Sequence, residues 1–225
     1  MNNALKNKLD SFYQENKSAI DDLASYIGVP PMWLVSVFDR ESGLDYTIVN
    51  GIGATGLNQL MPSTARGLGI DLTRYKNDID YQLQSMKLMY KPIKGKVRRA
   101  GDLYMFNFLP ASVTQNVNMD LALGEEGNYD RIWGLSKDSI YTNNKGLDYY
   151  KNGTITRGGV TDMFEERYDD VVSLPEAKKV IRDAKVKVVV EAERNKKLII
   201  VGMVLLAASA TIGVGVYIYV KRKKV

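Results

Sequence analysis

The stretch "FDRESGLDYTIVNGIGATGLNQLMPSTARGLG", residues 38–69, decides the fold and the function that the sequence predicts. It places one acidic residue, Glu41, at the end of an apolar run, and a glycine-rich loop with a single glutamine, Gln59, follows. Glu41 comes three residues after Phe38, which puts both on the apolar face of one helix, and Gly43 is the natural stop of that helix. Burial and the negative end of the helix dipole both raise the pKa of such a carboxyl, as a general acid near neutral pH requires.

The composition excludes several kinds of active site. The chain has no histidine and no cysteine. That excludes Ser-His-Asp triads, thiolate nucleophiles, disulfide bonds, and metal sites built from histidine or thiolate ligands. Catalysis must therefore use carboxylates, tyrosines, lysines, hydroxyls or backbone amides. A length of 225 residues predicts one domain with appendages.

The net charge of +5 arises near the C-terminus. Residues 1–175 carry 19 Lys/Arg against 22 Asp/Glu, whereas residues 176–197 and 221–225 are basic. The run between these two basic regions begins at Leu198, ends at Val220 and contains no charged residue. As a helix it would extend about 34 Å, enough to cross a hydrocarbon core of about 30 Å. We therefore expect this run to anchor the chain in a lipid membrane.

The rest of the chain predicts mostly helical structure. Residues 1–27 have apolar residues at helical spacing and no signal sequence for secretion. The basic residues between Lys87 and Arg99 are expected to form a solvated surface, with attraction to acidic polymers as the alternative; no motif for nucleic acid accompanies them. The expected division is a catalytic domain over residues 1–135, an extension over 136–174, a basic juxtamembrane helix over 175–197, a transmembrane helix over 198–220, and a basic tail over 221–225.

The loop after Glu41 carries a second motif. In "GATGLNQLMPSTA", residues 53–65, the glycines permit tight turns and close approach of a ligand to the backbone, and Gln59 offers both a donor and an acceptor. Together with Glu41-Ser42, this stretch resembles the signature of the lytic transglycosylases with the goose-lysozyme-like fold. That signature is a Glu-Ser pair followed by Gly-x-x-Gly-Leu-x-Gln-x-x-Pro-x-Thr. The matching residues are Gly53, Gly56, Leu57, Gln59, Pro62 and Thr64.

The resemblance implies a mostly helical, lysozyme-like domain that cleaves the β-1,4 bond between N-acetylmuramic acid and N-acetylglucosamine in peptidoglycan. Glu41 would protonate the leaving oxygen and then act as base while the muramic 6-hydroxyl attacks the anomeric carbon, which gives a 1,6-anhydro end without any cofactor or metal. Unlike glycosidases with two carboxylates, this family uses a single acid. Ser42 would orient Glu41 or bind substrate, Gln59 would contact the sugar, and Gly56 and the segment from Leu57 to Met61 would line the groove.

The family's third motif, Ala-Tyr-Asn-x-Gly, has only a partial counterpart in "DLYMFNFLPASV", residues 102–113. Asn107 falls at the family's Asn, whereas Phe106 replaces its Tyr. Related phage enzymes show a Leu-Tyr-x-x-x-Phe-Leu form, which places Tyr104 in the motif. We expect Tyr104 and Asn107 near the groove as substrate-binding residues, with simple core packing as the alternative.

Two features lie beyond this motif. The family's final tyrosine motif could correspond to Tyr129 or to Tyr141. A stretch that begins at Asp148 has the spacing of a calcium loop, but Tyr150 and Gly159 stand where ligands are needed. We expect a turn of that shape without a metal.

In a wall-cutting enzyme, a C-terminal anchor without a secretion signal predicts delivery by a route other than the secretion pathway. We expect a single-pass protein of the internal membrane of a phage virion, in contact with virion membrane or capsid proteins, that opens the wall during genome delivery. One alternative is an enzyme anchored in the bacterial cell membrane. Others are a lysozyme-type hydrolase on the same fold, and a catalytically degenerate structural or glycan-binding protein of a virion.

Overall fold

The structure is a computed structural model that describes residues 3–172. The helices are α1 (Asn3–Glu15), α2 (Lys17–Ile27), α3 (Pro31–Ser42), α4 (Pro62–Leu68), α5 (Leu72–Asn77), α6 (Ile79–Tyr90), α7 (Ala100–Phe108), α8 (Pro110–Thr114), α9 (Lys137–Asn143), α10 (Arg157–Arg167) and α11 (Asp169–Val172). Short 3₁₀ turns cover Lys91–Ile93 and Lys145–Leu147, and the strands are β1 (Ala122–Glu125), β2 (Arg131–Ile132), β3 (Leu135–Ser136) and β4 (Thr154–Thr156). The predicted mostly helical fold is confirmed for these residues.

The predicted membrane anchor lies outside the described residues, as do the juxtamembrane helix and the basic tail. Within residues 3–172, none of the helices combines the length and the apolar character that crossing a bilayer requires.

The two N-terminal helices bury the apolar face that their spacing predicts. Leu9 of α1 and Ile20, Leu23 and Ile27 of α2 are fully buried. Helix α2 ends at Gly28, whose φ of 86° is left-handed and whose N–H donates to the Ala24 carbonyl. This pair of amphipathic helices packs against α3 and, through α2, against α6.

Helix α3 lies at the centre of the fold. It begins at Pro31, where a missing N–H costs no hydrogen bond, and it is buried on nearly all sides from Met32 to Asp39. Helices α1, α2, α7 and α11 surround it. It ends where Gly43 turns left-handed with a φ of 64° and donates to the carbonyls of Asp39 and Phe38. Its last turn therefore emerges from the core at a fixed place.

Helix α7 lies between α3 and α10. A Cβ atom on Gly101 would come within 2.3 Å of Thr161 Cγ2, so only glycine permits this close approach of α7 and α10. Asp102 accepts a hydrogen bond of 2.6 Å from Arg157 in a buried ion pair, and Tyr104 stacks on Phe164 with ring centres 5.0 Å apart.

The expected boundary at residue 135 does not correspond to a structural division. Strand β1 pairs antiparallel with β4 across it, and α9 packs against β1. Tyr168 donates to Asp39 Oδ2 at 2.7 Å, and the Trp33 indole N–H donates to the Val172 carbonyl at 3.1 Å. The expected separate extension is therefore corrected: residues 136–172 belong to the same fold, because they supply the helix that covers α7.

Candidate active site

Glu41 lies in the last turn of α3, half-buried, one residue before the chain leaves the helix. Burial raises its pKa from 4.5 to about 7, while the positive charge of Arg40 and the amide of Asn107 limit the rise. Near neutral pH the carboxyl can therefore both give and take a proton. The high pKa predicted from the sequence agrees with this position.

The loop after α3 is built from short turns. The Asn50 side-chain oxygen accepts hydrogen bonds from the N–H groups of Ile52 and Ala54, both at 3.0 Å. The backbone of Thr55 forms an antiparallel β-bridge with Val49 on one side and another with Leu60 on the other. These bonds fix the path of a segment that has little regular structure, and they bring Gln59 back toward α6 and α7.

Contacts within the protein require glycine at position 56. Its φ is 76°, and a Cβ atom there would come within 2.6 Å of Gln82 Oε1. Gln82 is fully buried; its Oε1 accepts from the N–H of Leu57 at 3.0 Å, and its Nε2 donates to the carbonyls of Tyr46 and Tyr75. The sequence analysis missed Gln82. Its signal was a polar residue on the apolar face of α6, four residues before Met86.

The expectation for Leu57 is corrected. Its side chain is fully buried in the core and is not among the residues that line the cavity described next. Met61 is exposed and does border the cavity described next. Gln59 adopts a left-handed φ of 52°, and its Nε2 donates to the Gly56 carbonyl at 3.1 Å. The groove wall is thus formed by Gln59 and Met61, without the Leu57 side chain.

A cavity of about 250 Å³ lies between this loop and helices α6 and α7. Gln59, Met61 and Thr64 line one side, Leu88 and Met89 line the second, and Asn107 closes the third. A mainly apolar wall with a few amides suits a sugar ring, which presents both apolar faces and polar edges. Asn107 borders the cavity and also interacts with Glu41.

Asn107 and Tyr104, both predicted near the groove, have different surroundings. Asn107 is half-buried, and its Oδ1 accepts a hydrogen bond of 3.0 Å from the hydroxyl of Tyr90. Tyr104 is buried against Phe164, which matches the core-packing alternative. It nevertheless lies close enough to Glu41 for the carboxylate charge to add to the rise in the Tyr104 pKa that burial causes.

Ser42 does not orient Glu41 in the expected way. Its hydroxyl is buried and donates to the Phe38 carbonyl at 2.8 Å, one helical turn back. That proton is therefore not available to the Glu41 carboxylate. The oxygen can still accept a hydrogen bond.

The candidates for a final tyrosine lie elsewhere. Tyr129 is 76% exposed, and Tyr141 donates to Asp148 Oδ2 at 3.2 Å. A different tyrosine near Glu41, Tyr90 at the end of α6, was missed by the sequence analysis; it is fully buried, and the charge of Glu41 adds to the rise in its pKa that burial causes. On sequence it was only one more residue of an apolar helix face.

In the turn of calcium-loop shape, the Asp148 carboxylate accepts hydrogen bonds from the backbone of the turn itself. Asp148 accepts from the N–H groups of Asn152 at 3.2 Å and Gly153 at 2.9 Å. Within residues 3–172, no cluster of three acidic side chains is placed to hold a metal ion.

A larger cavity of about 690 Å³ lies at the other end of α7. Lys96, Arg98 and Arg99 from the basic run line it, together with the buried pair of Asp102 and Arg157. None of the predicted site residues borders it. The smaller cavity is the better candidate because Gln59, Met61 and Asn107 border it, and Asn107 also interacts with Glu41.

Comparison with known proteins supports the resemblance found in the motifs. Residues 18–107 match the family model of the Transglycosylase SLT domain. This confirms the resemblance at the level of the domain family for a segment that contains Glu41, the glycine-rich loop and Asn107. The segment ends before α8, so residues 108–172 lie outside the match.

One solved structure is also similar, the X-ray structure of an inactive mutant of the lytic transglycosylase Slt from Pseudomonas aeruginosa. It shares 17% identity with this chain at a TM-score of 0.36, over 70% of this chain and 25% of that one. The chain thus spans about a quarter of the length of Slt.

Proposed function

We propose that this protein is a peptidoglycan lytic transglycosylase that cleaves the MurNAc-β-1,4-GlcNAc bond and leaves a 1,6-anhydro-muramic end. The observation that carries the proposal is the half-buried Glu41, with a pKa of about 7, beside Asn107 and within a segment that matches the SLT domain. A buried carboxyl with an amide neighbour is suited to proton transfer, and a surface carboxyl of ordinary pKa is not.

The chemistry needs only one carboxyl in two protonation states. Protonated Glu41 donates its proton to the glycosidic oxygen as the bond to the anomeric carbon breaks, and the N-acetylglucosamine leaves with a free hydroxyl. The resulting carboxylate then accepts the proton of the muramic 6-hydroxyl while that oxygen bonds to the anomeric carbon. No water is consumed, and Glu41 regains its proton. The positive charge of Arg40 and the Asn107 amide stabilise the intervening carboxylate.

Binding is proposed to use the 250 Å³ cavity. The apolar wall from Met61, Leu88 and Met89 would contact the face of a sugar ring, and the amides of Gln59 and Asn107 would bond to its polar substituents. A groove that keeps bulk water from the anomeric carbon favours the internal hydroxyl as the nucleophile.

The decisive experiment is mass spectrometry of the soluble fragments that the full chain, held in detergent, releases from purified peptidoglycan. Fragments lighter by one water than hydrolysis products support a lytic transglycosylase. Hydrated ends would indicate a lysozyme-type hydrolase. Release of no fragments by a folded protein that binds the wall would indicate a structural or glycan-binding role.

The Glu41→Gln variant, run in parallel, tests the residue. Because Glu41 acts as both acid and base, we expect a loss of activity on the order of a thousandfold with the fold retained. Activity of the unaltered chain should fall as the pH rises through about 7, where Glu41 loses its proton.

The membrane anchor and the virion are further parts of the proposal and rest on sequence. The uncharged run of residues 198–220 between basic regions supports an anchor, tested by whether the full chain floats with liposomes and a chain without residues 198–225 does not. Carriage in a membrane-containing phage requires the intact protein in purified particles. Its absence there would leave the cell membrane as the site of action.

A further inference from the structure

The side-chain amide of Asn107 is held by a residue outside the predicted site. Tyr90 is the last residue of α6 and is fully buried, and its hydroxyl donates to Asn107 Oδ1 at 3.0 Å. A side-chain amide has an acceptor at one end and a donor at the other. Because Oδ1 accepts from Tyr90, Nδ2 is the end left to face a neighbouring acceptor such as the Glu41 carboxyl.

Asn107 Nδ2 makes no hydrogen bond of ordinary geometry within the described residues, although it is buried. The Asn107 side chain lowers the pKa of the Glu41 carboxyl, as a donor that faces a carboxylate does. A buried donor without a partner is costly, and the amide would turn if its other end were free. Something must therefore hold it in place, and the Tyr90 hydroxyl is the group in contact with it.

We infer that Tyr90 is a positioning residue, whose hydroxyl fixes the Asn107 amide so that Nδ2 faces Glu41. The catalytic meaning of this inference rests on the proposed function. The orientation of the amide does not rest on the proposed function, because that orientation affects only the protonation of Glu41.

Tyr90 is itself fixed on several sides. Its ring packs against Phe106 with centres 5.7 Å apart, and its hydroxyl also interacts with Asn58 of the glycine-rich loop. Asn58 accepts from the hydroxyl of Tyr75 at 2.6 Å and donates to Met89 Sδ at 3.1 Å. Tyr90 is thus held from the loop by Asn58 and from α7 by Phe106.

The titratable and charged groups that face Glu41 are Arg40 on α3, Tyr90 on α6 and Tyr104 on α7. Burial raises the pKa of both tyrosines, so they stay neutral where Glu41 titrates. The Asn107 amide is therefore the neutral neighbour whose orientation matters most. With Nδ2 toward Glu41 it favours the carboxylate, and with Oδ1 toward Glu41 it favours the protonated acid.

Tyr90→Phe is the test, with Tyr75→Phe as its matched control. Each removes one hydroxyl from a fully buried tyrosine, but only the Tyr90 hydroxyl bonds to Asn107. The readout is the pH titration of the Glu41 carboxyl carbon by NMR in the full chain. We expect the midpoint to move upward from about 7 in Tyr90→Phe and to stay in place in Tyr75→Phe. An unchanged midpoint in Tyr90→Phe, or equal shifts in both variants, would overturn the inference.

A second measurement needs no alteration of Tyr90. In the unaltered chain the two Nδ2 protons of Asn107 should shift with the titration of Glu41, and amide protons that do not respond would contradict the inference. In an Asn107→Ala background, adding Tyr90→Phe should leave the Glu41 midpoint where Asn107→Ala puts it. A further shift there would show that Tyr90 acts without Asn107, which also contradicts it.

Kinetics separate this inference from the proposed function. If the chain forms 1,6-anhydro ends, Tyr90→Phe should lower kcat roughly three- to tenfold, change KM less, and move the alkaline limb of the pH profile upward. A lower kcat with an unmoved alkaline limb would make Tyr90 merely structural. If the chain forms no such ends, the NMR titration still decides the role of Tyr90.

Discussion

Glu41 occupies a position that disfavours its own charge. It is half-buried at the end of α3, and the groups that stabilise the carboxylate, Arg40 and Asn107, only partly offset the loss of water. A carboxyl placed for proton transfer near pH 7 therefore weakens the folded state at that pH. The activity proposed for Glu41 and the stability of the fold therefore oppose each other at this residue.

The Glu41→Gln variant should be more stable than the unaltered protein at pH 8 and equally stable at pH 4. The ordinary pKa of 4.5 is raised to about 7 in the fold, so the unfolded chain ionises first as pH rises. Stability is therefore lost between these two values, by at most about 3 kcal/mol above pH 7. Urea unfolding at both pH values measures the difference.

The matched control for this prediction is Glu15→Gln, at the exposed end of α1. It should change the free energy of unfolding by less than about 0.5 kcal/mol at either pH. A gain for Glu41→Gln that is the same at pH 4 and pH 8 would contradict the role of ionisation.

At the scale of elements, the contact between α7 and α10 holds the helix that carries Asn107. It depends on Gly101, on the stacked rings of Tyr104 and Phe164, and on a buried ion pair. Each can be tested separately.

Gly101→Ala should destabilise the fold by about 1–3 kcal/mol, because the added methyl meets Thr161 at 2.3 Å and also its backbone Cα at 2.7 Å. Helix propensity alone would predict a gain. Gly67→Ala in α4 is the control, since nothing lies within 4 Å of its Cβ position, and it should stabilise by up to about 1 kcal/mol. Thermal or urea unfolding distinguishes the two, and the same sign of change in both would be evidence against a tight α7–α10 contact.

Removing one partner of the buried ion pair should lower the free energy of unfolding more than removing both partners does. Arg157→Met leaves Asp102 buried without its cation and should destabilise by about 3–5 kcal/mol. The double variant with Asp102→Leu leaves no buried charge, so it should recover most of that loss. A double-mutant cycle on the free energy of unfolding measures the coupling. An additive cycle would mean that the pair does not interact in solution.

Local patterns predicted some elements and not others. The apolar spacing of α1 to α3 and the stop at Gly43 are local, and they were predicted. Helix α10 contains Gly158 and Gly159 and lacks a continuous apolar stripe, so its helical form depends on packing against α7. Leu57 shows the same limit, since an apolar residue in a loop can face either the core or a ligand. Only the fold, through Gln82, decides between them.

At the scale of the whole molecule, residues outside the SLT-matching segment complete the fold. Strand β4 pairs with β1, α10 covers α7, and Tyr168 bonds to Asp39 in the central helix. A boundary drawn from the motifs alone therefore removes part of the core.

A fragment of residues 1–173 should unfold cooperatively, whereas a fragment of residues 1–135 should not. The shorter one loses α10 and α11, which exposes the apolar side of α7 and leaves β1 without its partner. Circular dichroism during urea unfolding measures the outcome. Cooperative unfolding of residues 1–135 with a native helical spectrum would restore the boundary at residue 135.

The hydrogen bond from the Trp33 indole to the Val172 carbonyl can be followed by tryptophan fluorescence. The chain has two tryptophans, of which Trp33 is buried at this contact and Trp133 donates to Gln115 in a more open place. A force applied to the chain beyond Val172 would act on the Trp33 indole before it acts on Glu41. The fluorescence of Trp33 should therefore report mechanical load on the domain while the surroundings of Glu41 are still intact.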